Sequence, residues 1–276
     1  MRQQLISLAM LSWLSLDVVI GAMATLYFFQ ELLHVHLDWP AYGLLALAVW
    51  SIYTGDHLLD ARKSKGSLSP RRAFHLRYQR LLAIGIGLAV IGGSWSAWTW
   101  FGWGKELQLT LILAASMGGC RWAIQKMGPV WMKEVSIALF YVIGCLWLPL
   151  LRAAPEDLGW FSLLLVPLFF LLALLNLLML SFLDREEDRQ LGFSSIATLF
   201  PAGRVIQLIR RLAFLAIFVA LGSFILLPSF YRPFCCILLL MVLVHYLTFF
   251  QSTATATQKR QRMELAFWIP WLLLLI

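Results

Sequence analysis

The sequence predicts an all-helical membrane protein, a single polytopic bundle of about nine transmembrane helices that uses the whole chain, residues 1–276, and is built as two loosely similar halves. Three observations predict it. Hydrophobic residues make up 61% of the chain and charged residues 13%, too little polar surface to cover a soluble domain of this size. The apolar residues gather in long runs, several of which reach the ~20 residues that cross a bilayer core of ~30 Å. Basic residues, finally, collect in alternate loops, as the positive-inside rule requires.

The runs place helices at about 5–30, 40–60, 80–101, 105–123, 133–152, 158–183, 211–228, 233–250 and 263–276. In lipid the backbone must bond within its own segment, so runs of this length mean helices rather than the alternating strands of a barrel. The first run is too long for a signal peptide, and no small-residue cleavage site follows it, so it is expected to stay as a helix. With nine helices, every Lys and Arg except Lys105, Arg152 and Arg232 falls on one side. An error of one helix in the middle would scramble that division. The N-terminus is therefore expected in the cytoplasm and the C-terminus on the far side of a cell membrane, the bacterial inner membrane. Trp39, Trp100, Trp103 and Trp160 fall near helix ends, as in an interfacial belt.

The net charge of +8 follows from these basic loops, and membrane lipid rather than nucleic acid is the expected neighbour. Cys120, Cys145, Cys235 and Cys236 show no CxxC spacing and lie in or beside apolar runs, which predicts small core residues rather than disulfides or metal ligands. Gly85, Gly92 and Gly93 are suited to close helix packing.

Two acidic segments interrupt the pattern. The second helix ends in Ser51-Ile-Tyr53-Thr-Gly-Asp56-His57-Leu-Leu-Asp60-Ala-Arg62, and the sixth in Ser181-Phe-Leu-Asp184-Arg185-Glu186-Glu187-Asp188-Arg189. Each contains Asp-x-x-x-Asp, which sets two carboxylates on one helix face, one turn apart. Such a pair repels itself unless a cation lies between its members, and a hard ion such as Mg²⁺ accepts these oxygens while keeping positions open for phosphate. Both pairs fall at the cytoplasmic end of a helix, four helices apart. Arg62, Lys126, Lys133, Arg185 and Arg189 stand near them. Acids with adjacent bases at the mouth of an apolar bundle point to a lipid diphosphate bridged by metal ions. The bland alternative is a pair of solvated helix ends.

At these residues the chain resembles the UbiA superfamily of membrane prenyltransferases. Asp184-Arg-Glu-Glu-Asp188-Arg-Gln-Leu-Gly192-Phe-Ser-Ser-Ile-Ala-Thr-Leu-Phe200 is similar to the family's second aspartate-rich motif, including the Gly and Ser-x-Ala that follow. Asp56 and Asp60 match the last two acids of the first motif, Asn-Asp-x-x-Asp-x-x-x-Asp, whose opening Asn-Asp positions fall on Ile52 and Tyr53. The resemblance covers two short segments in sequence and the architecture of nearly the whole chain. It implies a helical bundle with a central apolar cavity, and Mg²⁺ held by Asp56 and Asp60 and by Asp184 and Asp188. It further implies transfer of a prenyl group from an isoprenoid diphosphate to an aromatic or other lipophilic acceptor. Lys126 is aligned with a basic position after the fourth helix, with Lys133, Arg62, Arg185 and Arg189 available to the diphosphate. The lost Asn-Asp leaves a weakened first site, or one completed by Tyr53 or Thr54. It also leaves two alternatives open, a terpene cyclase or diphosphate lyase on the same scaffold, and a non-catalytic lipid-binding or transport homologue.

Other polar residues carry less. Asp17 is read in the middle of the first helix, where an acid is neutral, bonded to another helix, or lining the cavity. Asn176, two turns before Asp184, contacts substrate or a neighbouring helix. His57 lies within the first motif, and His245 is read as a packing residue. His34, His36 and Glu31 are too few for a metal site. The basic run from Arg62 to Arg80 reads as a solvated loop facing anionic lipid or as a diphosphate lid. It has no acid, which sets aside the CDP-alcohol phosphotransferase signature suggested by Asp60-Ala61-Arg62, and Lys65-Gly66-Ser67 lacks the glycines of a P-loop.

Overall fold

The computed structural model describes residues 10–63 and 70–275, and among them there are helices and no strands. The helices are α1 (Leu16–Leu32), α2 (Trp39–Lys63), α3 (Pro70–Arg77), α4 (Gln79–Phe101), α5 (Lys105–Met127), α6 (Trp131–Arg152), α7 (Trp160–Leu183), α8 (Arg185–Leu191), α9 (Ile196–Leu199), α10 (Ala202–Leu226), α11 (Arg232–Phe250) and α12 (Ala256–Leu265). A 3₁₀ tail, Ala266–Leu275, follows α12 without a break. Among the described residues six helices, α4 to α7, α10 and α11 (the last counted with the turn before it), are long and apolar enough to cross a membrane. The protein is thus a polytopic helical bundle.

The long helices pack in chain order. α1 lies on α2, α2 on α4, α4 on α5, α5 on α6, α6 on α7, α7 on α10, α10 on α11, α11 on the tail, and the tail on α1 again. α1 also packs against α6 across this ring. The core there is aromatic, with Phe28, Phe29, Phe169 and Phe234 in ring contacts of 5.2–5.4 Å. α4 and α5 bury little beyond Leu82 and Leu107, and their exposed Leu, Ile and Trp side chains suit lipid.

Four expectations need correction. Asp17 is not in mid-helix. Ser15 takes a left-handed conformation (φ 56°) that breaks the helical path, so Asp17 lies in the first turn of α1, where the amide ends of the helix favour an acid. The last helix does not start at residue 263. It starts at Ala256, below a capping box formed by Thr255 and Gln258, and becomes 3₁₀ beyond Leu265. The seventh starts at Ala202 rather than 211, directly after Pro201, which carries the run Arg204–Arg211 on helix instead of loop. Of the cysteines, Cys145 and Cys235 are buried, whereas Cys120 and Cys236 are exposed rather than in the core.

Glycine allows close approach at two contacts. A Cβ on Gly21 would lie 2.8 Å from Phe267 Cβ where α1 meets the tail, and one on Gly85 would lie 3.0 Å from the Trp50 ring between α2 and α4. Gly43 faces open space. Gly21→Val is therefore expected to cost about 1–3 kcal/mol by forcing the tail outward. Gly43→Ala should be neutral or slightly stabilising. Thermal unfolding in detergent, followed by tryptophan fluorescence, checks both, and equal midpoints for the two variants would contradict the packing argument.

Candidate active site: an acid–arginine cluster

The second acidic segment owes its shape to local signals. Asp184 ends α7 and begins α8. Gly192 (φ 73°) closes α8, with Phe193 N–H donating to Asp188 O at 2.9 Å in the six-to-one bond of a glycine C-cap. Ser195 caps the single turn of α9 reciprocally with Thr198. Buried Glu134 on α6 accepts the Ile196 N–H at 2.9 Å, and Arg185 donates to Phe200 O at 3.1 Å. The Gly and Ser of the motif are thus the residues that fold it back against α6 and α7.

Onto this segment come arginines from distant parts of the chain. Arg72 of α3 donates to Glu187 Oε1 at 2.6 Å and to Asp188 Oδ1 at 3.3 Å, with its guanidinium 5.4 Å from the Phe193 ring centre. Arg260 of α12 donates to Asp184 Oδ1, and Arg71 Nη2 lies 4.0 Å from Asp184 Oδ2. Arg72 and Lys133 act electrostatically on both Asp60 and Asp188, which brings the end of α2 and the start of α8 to one cluster. Burial, and then the neighbouring Asp184, push the Asp188 carboxyl up to about 6 despite Arg72. Burial also lowers His75, and burial with Arg260 beside it lowers Arg71.

The sequence-derived candidates divide accordingly. Asp60, Asp184, Asp188 and Lys133 share the cluster. Asp56 is one turn from Asp60 on α2 and exposed, and Tyr53, one turn further, feels Asp56, Asp17 and Glu264. Asn176 is half-buried on α7, its Oδ1 without a hydrogen-bond partner among the described residues. Lys126 instead rests 4.5 Å from the Trp122 ring on the exposed end of α5, and Arg62 is exposed at the end of α2. Arg185 and Arg189 bond the carbonyls of Phe200 and Thr198, so they brace the segment that they were expected to serve as anion ligands. His34 stacks on Phe230, and His245 is buried and bonded to Met241 O. The sequence reading passed over Arg71, Arg72, Arg260 and Glu264 as site residues.

Among the described residues no three His, Cys, Asp or Glu side chains gather as a ready metal site. The donor chemistry nonetheless fits Mg²⁺ pair by pair. Asp56 with Asp60, and Asp184 with Asp188, offer only hard carboxylate oxygens, and Mg²⁺ commonly takes one or two carboxylates and leaves its other positions to water and phosphate. Two grooves of about 550 Å³ and 450 Å³ open elsewhere, lined by residues such as Arg232 and Leu272, and by Leu47 and Trp100; neither touches the acidic segments. No protein-family model, curated protein or solved structure matches the chain.

Proposed function

We propose that the chain is a Mg²⁺-dependent membrane prenyltransferase of the UbiA type, moving a prenyl group from an isoprenoid diphosphate to a lipophilic, aromatic acceptor. The reading is supported by Arg72 and Lys133, which lie within electrostatic reach of an aspartate from each Asp-x-x-x-Asp segment, Asp60 and Asp188. In this reading α1, α2 and α12 with its tail supply the three spans beyond the six apolar helices. The basic side, with the aspartates, faces the cytoplasm.

Asp56 and Asp60, and Asp184 and Asp188, would hold the metal, which when bound draws electrons onto the departing diphosphate as a Lewis acid. Lys133 and Arg72 add fixed positive charge where the leaving group gathers negative charge. The apolar helices keep water from the allylic cation. A second reading has support of its own. Arg72 and Arg260 already satisfy the second motif, and the first lacks its Asn-Asp, as a non-catalytic lipid-binding homologue would allow.

Pyrophosphate release from geranyl, farnesyl and geranylgeranyl diphosphates, with Mg²⁺ and with or without aromatic acceptors, separates these. Acceptor-dependent release that is lost in Asp56→Asn and Asp184→Asn is the expected result. Release without acceptor, giving a hydrocarbon or alcohol, would identify a cyclase or lyase. Neither release nor diphosphate binding would favour the non-catalytic homologue.

A further inference from the structure

α11 begins on an arginine that the protein leaves without an acid. Arg232 is its first residue, and no acid lies in the first turn. A cation there stands against the positive amide end of the helix, which is unfavourable unless an anion is near. Arg152, by contrast, is held by Glu106 through two bonds of 2.9 Å. Arg232 forms no ion pair among the described residues, and its guanidinium lies 5.9 Å from the Phe224 ring centre.

The same residue lines the apolar groove of about 550 Å³. Ser229 and Arg232 line it at the start of α11, Cys236, Ile237 and Leu240 one and two turns further on, and Leu272 comes from the tail. From Arg232 to Leu240 the helix advances ~12 Å, most of the ~15 Å that one leaflet gives to a bilayer core. The groove is also remote from the acid–arginine cluster. Lys259, next to Arg260, donates to Phe249 O at 2.7 Å, and that end of α11 lies nearly a helix length, ~28 Å, from Arg232.

We propose that this groove is a binding site for a phospholipid, with the phosphate on Arg232 and Ser229 and one acyl chain along α11 against Leu272. The planar guanidinium takes two phosphate oxygens at once, and the phosphate supplies the anion that the start of α11 lacks. A neutral lipid fills such a groove without an anion, and free phosphate brings the anion without a chain. The chain also ties α11 to the tail, ten residues of 3₁₀ helix, a form seldom sustained beyond three or four residues. The smaller groove, at Leu47 and Trp100, is lined by no charged residue and has no such preference. The site does not depend on the prenyltransferase reading.

Cys236 is exposed in the groove, one turn from Arg232, and serves as the reporter. In the full chain carrying Cys120→Ser it is the one exposed thiol, since Cys145 and Cys235 are buried. Its reaction with N-ethylmaleimide in detergent, read by peptide mass spectrometry, is followed against added dioleoylphosphatidylglycerol, dioleoylglycerol or inorganic phosphate. The phospholipid should slow the reaction saturably, about tenfold at ten times its half-saturating amount, and the other two should not. Arg232→Gln should raise the half-saturating amount roughly tenfold or more, and Arg232→Lys should raise it less. Cys145 and Cys235 should stay unreactive in both variants, which separates lost binding from a lost fold. Should Arg232→Gln expose them, the unsubstituted Arg232 protein with the three additives still decides. Equal protection by dioleoylglycerol would overturn the role of the phosphate. Protection by inorganic phosphate would make this a free-anion site, and no protection, or an unchanged half-saturating amount in a folded Arg232→Gln, would overturn the lipid site.

Discussion

Arg72→Ala should undock α3 from the second acidic segment and destabilise the protein by roughly 3–5 kcal/mol. Arg72 is 7% exposed and serves two carboxylates at once, Glu187 and Asp188. Its removal leaves two partly buried acids short of their nearest positive charge. Arg72→Lys should recover only part of the loss, because an ammonium cannot span both acids as a planar fork does. The same variant has a signature in pH. Asp188 sits at about 6 against an ordinary 3.8, so between these values the folded protein binds more protons than the unfolded chain. The contribution of this group to stability therefore falls as pH rises through that window and stays low above it. Arg72 acts to lower the Asp188 value, so Arg72→Ala should carry it above 6 and extend the window upward. Carbodiimide labelling of Asp188 as a function of pH, read by peptide mass spectrometry, measures the shift. Hydrogen exchange across Pro70–Arg77 and Arg185–Leu191 should rise together. An Asp188 midpoint that stays put in Arg72→Ala would mean that the ion pair does not form.

Much of the bundle was legible because lipid imposes a simple rule. A run that satisfies its own backbone must be a helix of fixed length, so Gln79–Phe101 and Trp160–Leu183 fall within two residues of their expected limits. The second acidic segment was legible for a different reason, since Gly192 and Ser195 act through local backbone geometry that a motif preserves. Hydropathy does not see what broke the other expectations. Ser15 bends the chain through its backbone, and the capping box of Thr255 and Gln258 starts a helix of polar residues that no apolar window includes. The arginines of the cluster were hidden by the positive-inside count itself. Counting Arg71, Arg72 and Arg260 as basic loop residues assigns them a side, yet it cannot separate a guanidinium in water from one folded back onto an acid. A partial signal was present, because Arg260 and Glu264 are spaced four apart on one helix face.

The pairing of Arg260 with Asp184 leads to the most discriminating expected result, since it separates a structural counter-ion from a ligand. Arg260→Met should be the more harmful single change to the fold, costing roughly 3–5 kcal/mol. It strips the nearest cation from Asp184 and from Glu264 at once. Asp184→Asn should cost less, because Arg260 keeps Glu264. In the double variant the uncompensated charge at Asp184 is gone, so part of the Arg260→Met loss should return, with a coupling of about 1–3 kcal/mol in a double-mutant cycle of unfolding in detergent. Pyrophosphate release should not follow that recovery. If Asp184 contributes oxygen to Mg²⁺, both Asp184→Asn and the double variant should fall roughly a thousandfold, about 4 kcal/mol of barrier. A double variant that regains stability and turnover together would make Asp184 a counter-ion alone. The acidic segments would then be a clasp that closes the bundle, joining α3 and α12 to the end of α7, and the metal reading would lose its second site.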